Sequence, residues 1–135
     1  MLLISTFLNT TISKGIGLFA SNFIPNGTII WKFDSTFDRE FIIEDFKQMN
    51  DSVFQFIKTY GSHISCKKWH VCLDNARFMN HSENPNIIFS TDDYNNILGV
   101  ANRDINKGEE LTANYKDFDI DCLVDLSFEN YDINC

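Results

Sequence analysis

Apolar and polar residues alternate in short runs along most of the chain. Segments rich in Ile, Phe and Val are separated by Gly, Asn, Asp and Pro, which is typical of short strands between turns. The pattern predicts strands at residues 2–6, 28–33, 71–73, 87–90, 97–102 and 110–113. The chain is therefore predicted to be mainly β structure with short helices.

One stretch has a different period. Apolar residues recur there at three- and four-residue steps, the spacing of a buried stripe on an amphipathic helix. The stripe consists of Ile42, Phe46, Met49, Val53, Ile57 and Tyr60. Residues 39–60 are predicted to be helical. Asn50, Asp51 and Ser52 offer side-chain oxygens suited to an N-cap, so two shorter helices broken near residue 50 are an alternative to one long helix.

Two further segments carry local signals. Residues 92–96 are rich in Asp and Asn, which tolerate turn conformations, and they predict a hairpin between strands 87–90 and 97–100. The tail from about residue 117 to 135 is too apolar to be a solvated appendage. It is expected to pack on the body of the protein, with residues 120–126 forming a helical turn or two, or to cover a twin subunit in a homodimer.

Composition limits the class of protein. With 135 residues and 44% hydrophobic content, residues 1–135 are expected to form a single domain without repeats or linkers. The net charge of -8 and the sequence pI near 4.6 argue against direct nucleic-acid binding, which needs clustered Lys and Arg. An acidic surface favours a basic protein or peptide as partner.

The cysteine spacing and the lengths of the apolar runs indicate in which cellular compartment the protein is expected. Cys66, Cys72, Cys122 and Cys135 show no paired spacing of the kind that zinc sites favour, so no metal site is expected and reduced thiols are the simpler interpretation. The N-terminal segment lacks the basic flank and long apolar run of a secretion signal, and no window reaches the ~20 apolar residues of a membrane span. The expectation is an intracellular protein that does not enter a membrane, either cytoplasmic or nuclear (in a host cell).

Three short sequence motifs contain residues that could bind a ligand or take part in catalysis, and each of them also has a purely structural interpretation. Gly15 and Gly17 flank Ile16 and could let a ligand approach the backbone, or form a turn. Asn80 and His81 could bind a ligand or satisfy each other in the core. Tyr115 follows the predicted strand 110–113 and could be catalytic or simply buried, whereas Tyr60 is expected in the core and Tyr94 on the surface.

Taken together, these motifs resemble the SET domain of protein lysine methyltransferases. The resemblance is carried by KGIGLFA at 14–20 with IPNG at 24–27, RFMNHS at 77–82 with PN at 85–86, and GEELT at 108–112 followed by Tyr115. It covers residues 14–118, with 39–73 as a variable insert. It implies a β-clip fold of small curved sheets, in which a C-terminal pseudoknot brings Asn80 and His81 next to Tyr115.

The resemblance also implies a cofactor and residue roles. The cofactor is S-adenosylmethionine, with the Asn80 side chain at its methionine end and the His81 backbone at its adenine. Tyr115 is implied as the catalytic residue. The cofactor-binding residues carried over are Lys14, Gly15, Ile16, Gly17, Arg77, Phe78, Asn80, His81, Tyr115 and Phe118. From its charge alone, Arg77 is better interpreted as an internal structural anchor.

Some positions depart from the family pattern. No CxC zinc segment follows Tyr115, so Phe118 is the candidate aromatic wall for the lysine channel, with plain packing as the alternative. Asn114 stands where Asp is common, Lys116 where Gly is common, and Glu83 where Cys is common. These departures affect the expected shape of the channel and not the residues named as catalytic.

The function implied is methylation of a lysine in a basic protein, such as a histone tail or a ribosomal protein. The alternative is a catalytically inactive module of the same fold that binds cofactor or peptide to recruit partners. A third and weaker alternative is a metal-dependent hydrolase that uses His63, His70 and His81, whose spacings match no helical ligand pair.

Overall fold

The computed structural model describes residues 1–65, 68–91 and 96–118. The strands are β1 (Thr6–Thr10), β2 (Ile16–Ala20), β3 (Ile29–Lys32), β4 (Arg39–Ile42), β5 (Gly61–Ser65), β6 (Lys68–Val71), β7 (Asn80–His81), β8 (Ile87–Thr91), β9 (Ile97–Ala101) and β10 (Glu110–Ala113). The helices are α1 (Ile43–Phe46), α2 (Asp51–Tyr60) and two 3₁₀ helices at Asn75–Phe78 and Tyr115–Asp117. The prediction of mainly β structure with short helices is confirmed.

Seven strands form the large sheet. Its order is β1-β2-β10-β8-β9-β3, and β7 pairs with β10 beside this path. Strand β10 is antiparallel to β2 and parallel to both β7 and β8. Its two core residues Leu111 and Ala113 are almost completely buried. A strand from the C-terminal part of the described chain therefore occupies the middle of the sheet and brings distant segments together.

Three strands form the small sheet, in the order β4-β6-β5. Its core consists of Ile57 from α2 together with Trp69 and Val71 from β6. The rings of Trp31 in β3 and His70 in β6 lie with their centroids 5.5 Å apart. This contact joins the large sheet to the small sheet.

Four predicted strands are confirmed with small changes at their ends. Residues 110–113 are strand β10 as predicted, and 28–33, 87–90 and 97–102 correspond to β3, β8 and β9. Strands β8 and β9 pair antiparallel from Ile87↔Ala101 to Thr91↔Ile97, as the predicted hairpin requires. Residues 92–95 of its turn lie outside the described residues.

Two predicted strands are wrong, and strands β2, β4, β5 and β7 were not predicted as strands. Residues 2–6 are not a strand, because the strand here runs from Thr6 to Thr10, and the prediction at 71–73 is displaced from β6. Strands β2 and β5 escaped prediction because glycine and polar residues interrupt them. β1 is paired only with β2, and four of its five residues are exposed, so the sequence shows little apolar alternation there.

The helical prediction for residues 39–60 is wrong for the first four residues. For the rest, the alternative of two short helices broken near residue 50 is confirmed. Arg39–Ile42 is a strand, because its backbone pairs with β6. Two helices follow, and Asn50 Oδ1 accepts a hydrogen bond from Val53 N–H at 3.0 Å as the N-cap of α2. Ile57 is buried, whereas Ile42 and Val53 of the predicted stripe are exposed. The chain is not one helix there, so the residues do not share one face.

The tail beyond residue 118 lies outside the described residues, together with its predicted helical turn at 120–126. Among the described residues no helix is long and apolar enough to cross a membrane.

Candidate functional site

Asn80, His81 and Tyr115 come together where β7 pairs with β10. The parallel register places Thr112 opposite Asn80 and Ala113 opposite His81, and Tyr115 follows two residues later. The Tyr115 hydroxyl donates a hydrogen bond to the Met79 carbonyl oxygen at 2.7 Å. The pairing therefore confirms that these two distant stretches lie side by side, as expected.

The Tyr115 backbone fixes the orientation of the His81 ring. Its N–H donates to His81 Nδ1 at 3.2 Å, and the two rings lie 5.4 Å apart between centroids. A backbone N–H can only donate, so Nδ1 must be the unprotonated acceptor. The proton of the neutral ring is therefore on Nε2, which lies 3.3 Å from Glu83 Oε1.

The Asn80 side chain ties the glycine-containing stretch to β10. Its Nδ2 donates to the Ile16 carbonyl at 3.2 Å and to Glu110 Oε1 at 2.8 Å. A Cβ on Gly17 would lie 2.8 Å from Glu110 Oε1 and 3.1 Å from Asn80 Nδ2, so a glycine is needed for this close approach. The sequence analysis named no role for Glu110. Its position in the predicted strand 110–113, on the same face as Thr112, could have indicated one, because Thr112 is the strand partner of Asn80.

The edge of this region is open and carries a positive charge. Lys14 Nζ donates to the His81 carbonyl at 2.5 Å. Gly15 has φ of 74°, and no heavy atom lies within 4 Å of the position that its Cβ would take. Ile16 is 49% exposed beside it. A ligand with an anionic group could therefore approach the backbone here next to a cation.

A cavity of about 120 Å³ opens beside Tyr115 at the junction of the two sheets. Its wall includes the aromatic side chains of Trp31, Tyr60, Phe89, Tyr115 and Phe118. Tyr60 thus lines the cavity, where sequence reasoning had expected a core residue.

Phe118 is both a wall and a packing residue. It lines the cavity, and its ring lies 4.6 Å from that of Phe89 and 5.8 Å from that of Tyr115, measured between centroids. The two interpretations offered for Phe118 from the sequence are therefore compatible with each other.

Arg77 lines the cavity but is held by the turn before it. Its Nη1 donates to the Leu73 carbonyl at 2.8 Å and to the Asp74 carbonyl at 3.3 Å. Its guanidinium carbon lies 4.9 Å from the centre of the Phe78 ring, which in turn contacts Tyr60. These contacts agree with the interpretation of Arg77 as a structural anchor.

Two departures from the family pattern pair with each other. Lys116 Nζ lies 2.8 Å from Glu83 Oε1, and the Asn114 side chain accepts from the Lys116 N–H at 3.1 Å. The hydrogen bond from Lys116, followed by that from His81, lowers the pKa of the exposed Glu83 carboxyl. The unusual residues at these positions therefore form one surface cluster beside His81.

The polar groups at the inner end of the cavity are neutral. Burial lowers the pKa of His70 and raises the pKa of the Cys72 thiol to about 12, the latter with help from Asp38 and Asp74. A thiol with that pKa is a poor nucleophile. Among the described lining residues Arg77 is the one charged group. The cavity therefore suits an uncharged, partly apolar group.

The three histidines named for a hydrolase do not converge. His63 stacks on Trp69 at 4.8 Å, and His81 lies beside Tyr115. Within the described ranges, the one group of His, Cys, Asp and Glu residues close enough to hold a metal contains His70 alone of the three. The geometry gives no support to that alternative.

Comparison with known proteins identifies the family. The model of the SET domain family matches residues 15–116, which is most of the chain. The matched range includes the proposed site residues except Lys14 and Phe118, which flank it. None of the curated proteins compared with the chain matches it.

Proposed function

The chain belongs to the SET-domain family, and on that premise we propose that it transfers a methyl group from S-adenosylmethionine to a lysine of a basic protein. Members of this family are generally protein lysine methyltransferases. The observation that carries the proposal is the position of Tyr115. Its ring lines the aromatic cavity while its hydroxyl is bound to Met79, the residue before Asn80 and His81.

The residues around the glycine stretch fit the cofactor. S-adenosylmethionine would supply a methyl group made electrophilic by a sulfonium charge. The open backbone at Gly15 would allow close approach of the cofactor beside the exposed Lys14 ammonium. Asn80 and the His81 backbone would contact the two ends of the cofactor. Ile16, Gly17, Arg77, Phe78 and Phe118 complete the proposed cofactor-binding set.

The aromatic cavity would hold the substrate lysine in its reactive form. Only the neutral amine can attack a methyl carbon, and at pH 7.4 on the order of one free lysine in a thousand is neutral. No carboxylate is among the lining residues that the structure describes, so an ammonium would lose its hydration there without gaining an ion pair. Such desolvation lowers the pKa of the amine.

Tyr115 would orient the reacting groups. Its hydroxyl is fixed by Met79 and its backbone by His81, so the ring has a defined position at the junction of cofactor surface and cavity. Holding an amine and a methyl group in line can contribute roughly 7–11 kcal/mol in favourable cases. No dedicated protein base is required if the amine enters neutral.

The substrate would be a basic segment. The net charge of -8 favours a Lys- and Arg-rich partner such as a histone tail or a ribosomal protein, presented as an extended strand. The protein would meet such a partner in the cytoplasm or in a (host) nucleus.

Transfer of a labelled methyl group tests the proposal. The purified chain is incubated with methyl-labelled cofactor and either core histones or a cell extract, and modified residues are located by mass spectrometry. Methylated lysine supports the enzyme. Cofactor binding by calorimetry without transfer to either substrate pool would instead support the inactive recruiting module. Absence of cofactor binding would overturn both.

A further inference from the structure

Asp38, His70 and Cys72 form a cluster that the proposed function does not use. One potential ligand atom from each residue lies within 4.8 Å of the other two. Asp38 immediately precedes β4, His70 lies in β6, and Cys72 immediately follows β6. The cluster is therefore built on the neighbouring strands of the small sheet.

The strand register explains why these three residues meet. His70 and Cys72 are two residues apart, so their side chains point to the same face of an extended chain. Strands β4 and β6 pair Arg39 with Val71, and the same register continued by one residue places Asp38 opposite Cys72. A carboxylate, an imidazole and a thiol therefore share one side of the sheet by backbone geometry.

Two polar atoms of the cluster have no partner. Asp38 Oδ1 and His70 Nε2 are buried and have no hydrogen-bond partner among the described residues, and the two residues are only 2% and 7% exposed. The other Asp38 oxygen, Oδ2, accepts from the Met1 amine at 2.7 Å and from the Asp34 N–H at 3.1 Å. The carboxylate is thus held in place while one of its oxygens remains unsatisfied. Buried polar groups in native proteins normally have a partner, so these two atoms are available to bind a ligand.

We propose that Asp38, His70 and Cys72 bind a zinc ion. Sulfur, imidazole nitrogen and carboxylate oxygen are all zinc ligands, whereas calcium and magnesium prefer oxygen alone. With bond lengths of about 2.0–2.3 Å, the donor atoms of a tetrahedral site lie roughly 3.3–3.8 Å apart, so small side-chain rotations would close the present cluster. His70 and Cys72 also line the cavity, so a water molecule there can take the fourth position.

Such an ion would fix the side chain through which the small sheet contacts the large one. His70 packs against Trp31 and Phe33, with ring centroids 5.5 Å and 5.1 Å apart. Fixing His70 to Asp38 and Cys72 would therefore fix the inner end of the cavity. This inference does not rest on the proposed methyl transfer: none of the three ligands is a proposed cofactor residue, although His70 and Cys72 line the cavity proposed for the lysine.

Metal content and a cobalt spectrum of the untagged chain test the site directly. After growth with zinc, the purified protein should contain about one zinc ion per chain, and this ion should be removed by a strong chelator. Cobalt added to the stripped protein should give a thiolate-to-metal charge-transfer band. The spectrum is recorded in a chain whose Cys66, Cys122 and Cys135 are replaced by serine, so that Cys72 is the sole thiol.

Ligand variants then assign the residues. His70→Gln and Cys72→Ser should each weaken zinc binding by about 100-fold or more, because even changes behind a ligand cost roughly 10- to 100-fold. The matched control is Glu44→Gln, which removes an exposed carboxylate from α1, outside the two strands that carry the cluster, and should leave zinc affinity unchanged. Unsubstituted protein without stoichiometric zinc would overturn the proposal, and so would the absence of the cobalt band from the chain that keeps Cys72 as its sole thiol. Zinc binding that survives both ligand variants would also overturn it.

Discussion

The large sheet and the small sheet meet at the cavity but are held together by different interactions. In the large sheet, polar contacts join segments far apart in the chain, such as Asn80 to Glu110 at 2.8 Å and Tyr115 to Met79 at 2.7 Å. In the small sheet, rings pack on rings, as Trp69 does on Phe46 with centroids 6.0 Å apart. The first region combines an apolar core with directional contacts between distant segments, whereas the contacts of the second are mainly apolar.

This difference explains where the family resemblance lies. A hydrogen bond requires a particular donor and acceptor in a narrow range of geometry, so the residues that make it form recognisable strings. Apolar packing can be satisfied by many combinations of similar volume. The large sheet therefore carries the SET motifs, and the small sheet coincides with the variable insert predicted at 39–73. Matched substitutions in the two regions test the contrast.

The largest difference in methyl transfer is expected between substitutions of two tyrosines that both line the cavity. Tyr115→Phe should reduce methyl transfer by about 100-fold, the order of loss when one oriented polar group is removed from a reacting centre. Cofactor affinity should be unchanged, because the ring remains. Tyr60→Phe should have a far smaller effect, since the structure shows no hydrogen bond from the Tyr60 hydroxyl to any described residue.

Single-turnover rates and calorimetric cofactor affinity separate the two tyrosine outcomes. Full turnover by Tyr115→Phe would remove this residue from the catalytic role. An equal loss of methyl transfer in both variants would show that the hydroxyls of Tyr115 and Tyr60 contribute equally to the reaction.

An intermediate difference, in unfolding free energy and in cofactor affinity, is expected between alanine substitutions at two glycines. A Cβ at Gly61 would lie 2.6 Å from the Ile57 carbonyl oxygen, a backbone atom, whereas at Gly17 its nearest neighbours are side-chain atoms of Glu110 and Thr11 at 2.8 Å. Gly61→Ala should therefore cost about 1–3 kcal/mol of unfolding free energy, and Gly17→Ala less. Gly17→Ala should instead weaken cofactor binding, because Asn80 and Glu110 must shift.

Urea unfolding and cofactor titration of both glycine variants provide the check. If Gly17→Ala left cofactor affinity intact while Gly61→Ala reduced it, the assignment of the cofactor surface to the large sheet would be wrong.

The smallest difference, in unfolding free energy alone, is expected between glutamine substitutions at two carboxylates. Glu109 accepts hydrogen bonds from Arg103, from the Asn106 N–H and from Asn86, and these contacts, led by that from Arg103, hold its pKa below the usual value of a glutamate. Glu109→Gln should cost at most about 1 kcal/mol at neutral pH. Glu40 has one exposed ion pair, with Lys68, and Glu40→Gln should cost less.

The pH dependence of the Glu109 effect has a defined sign. A carboxyl whose pKa is lowered on folding stabilises the native state above its unfolded pKa and loses that contribution as the pH falls. The difference in unfolding free energy between wild type and Glu109→Gln should therefore shrink below about pH 4.5. A difference that grows on acidification would contradict the Arg103–Glu109 assignment.

Much of the large sheet was predictable from sequence. Residues 110–113 alternate apolar and polar side chains between turn residues, and they form β10 as predicted. Asn50 was among the residues predicted to cap a helix, because capping depends on a side chain and on its near neighbours in the chain. By contrast, Arg39–Ile42 was assigned to a helix because its apolar spacing continued that of α2, and only pairing with β6 makes it a strand.

The sequence by itself determined the family, the candidate residues and most strands of the large sheet, because these depend on short strings and local periodicity. Tertiary structure alone decided that Glu110 holds Asn80, that Glu83 pairs with Lys116, and that Asp38 lies beside His70 and Cys72. Each of these relations joins residues distant in the chain through strand register. Register is set by the packing of the whole sheet, which no local pattern contains.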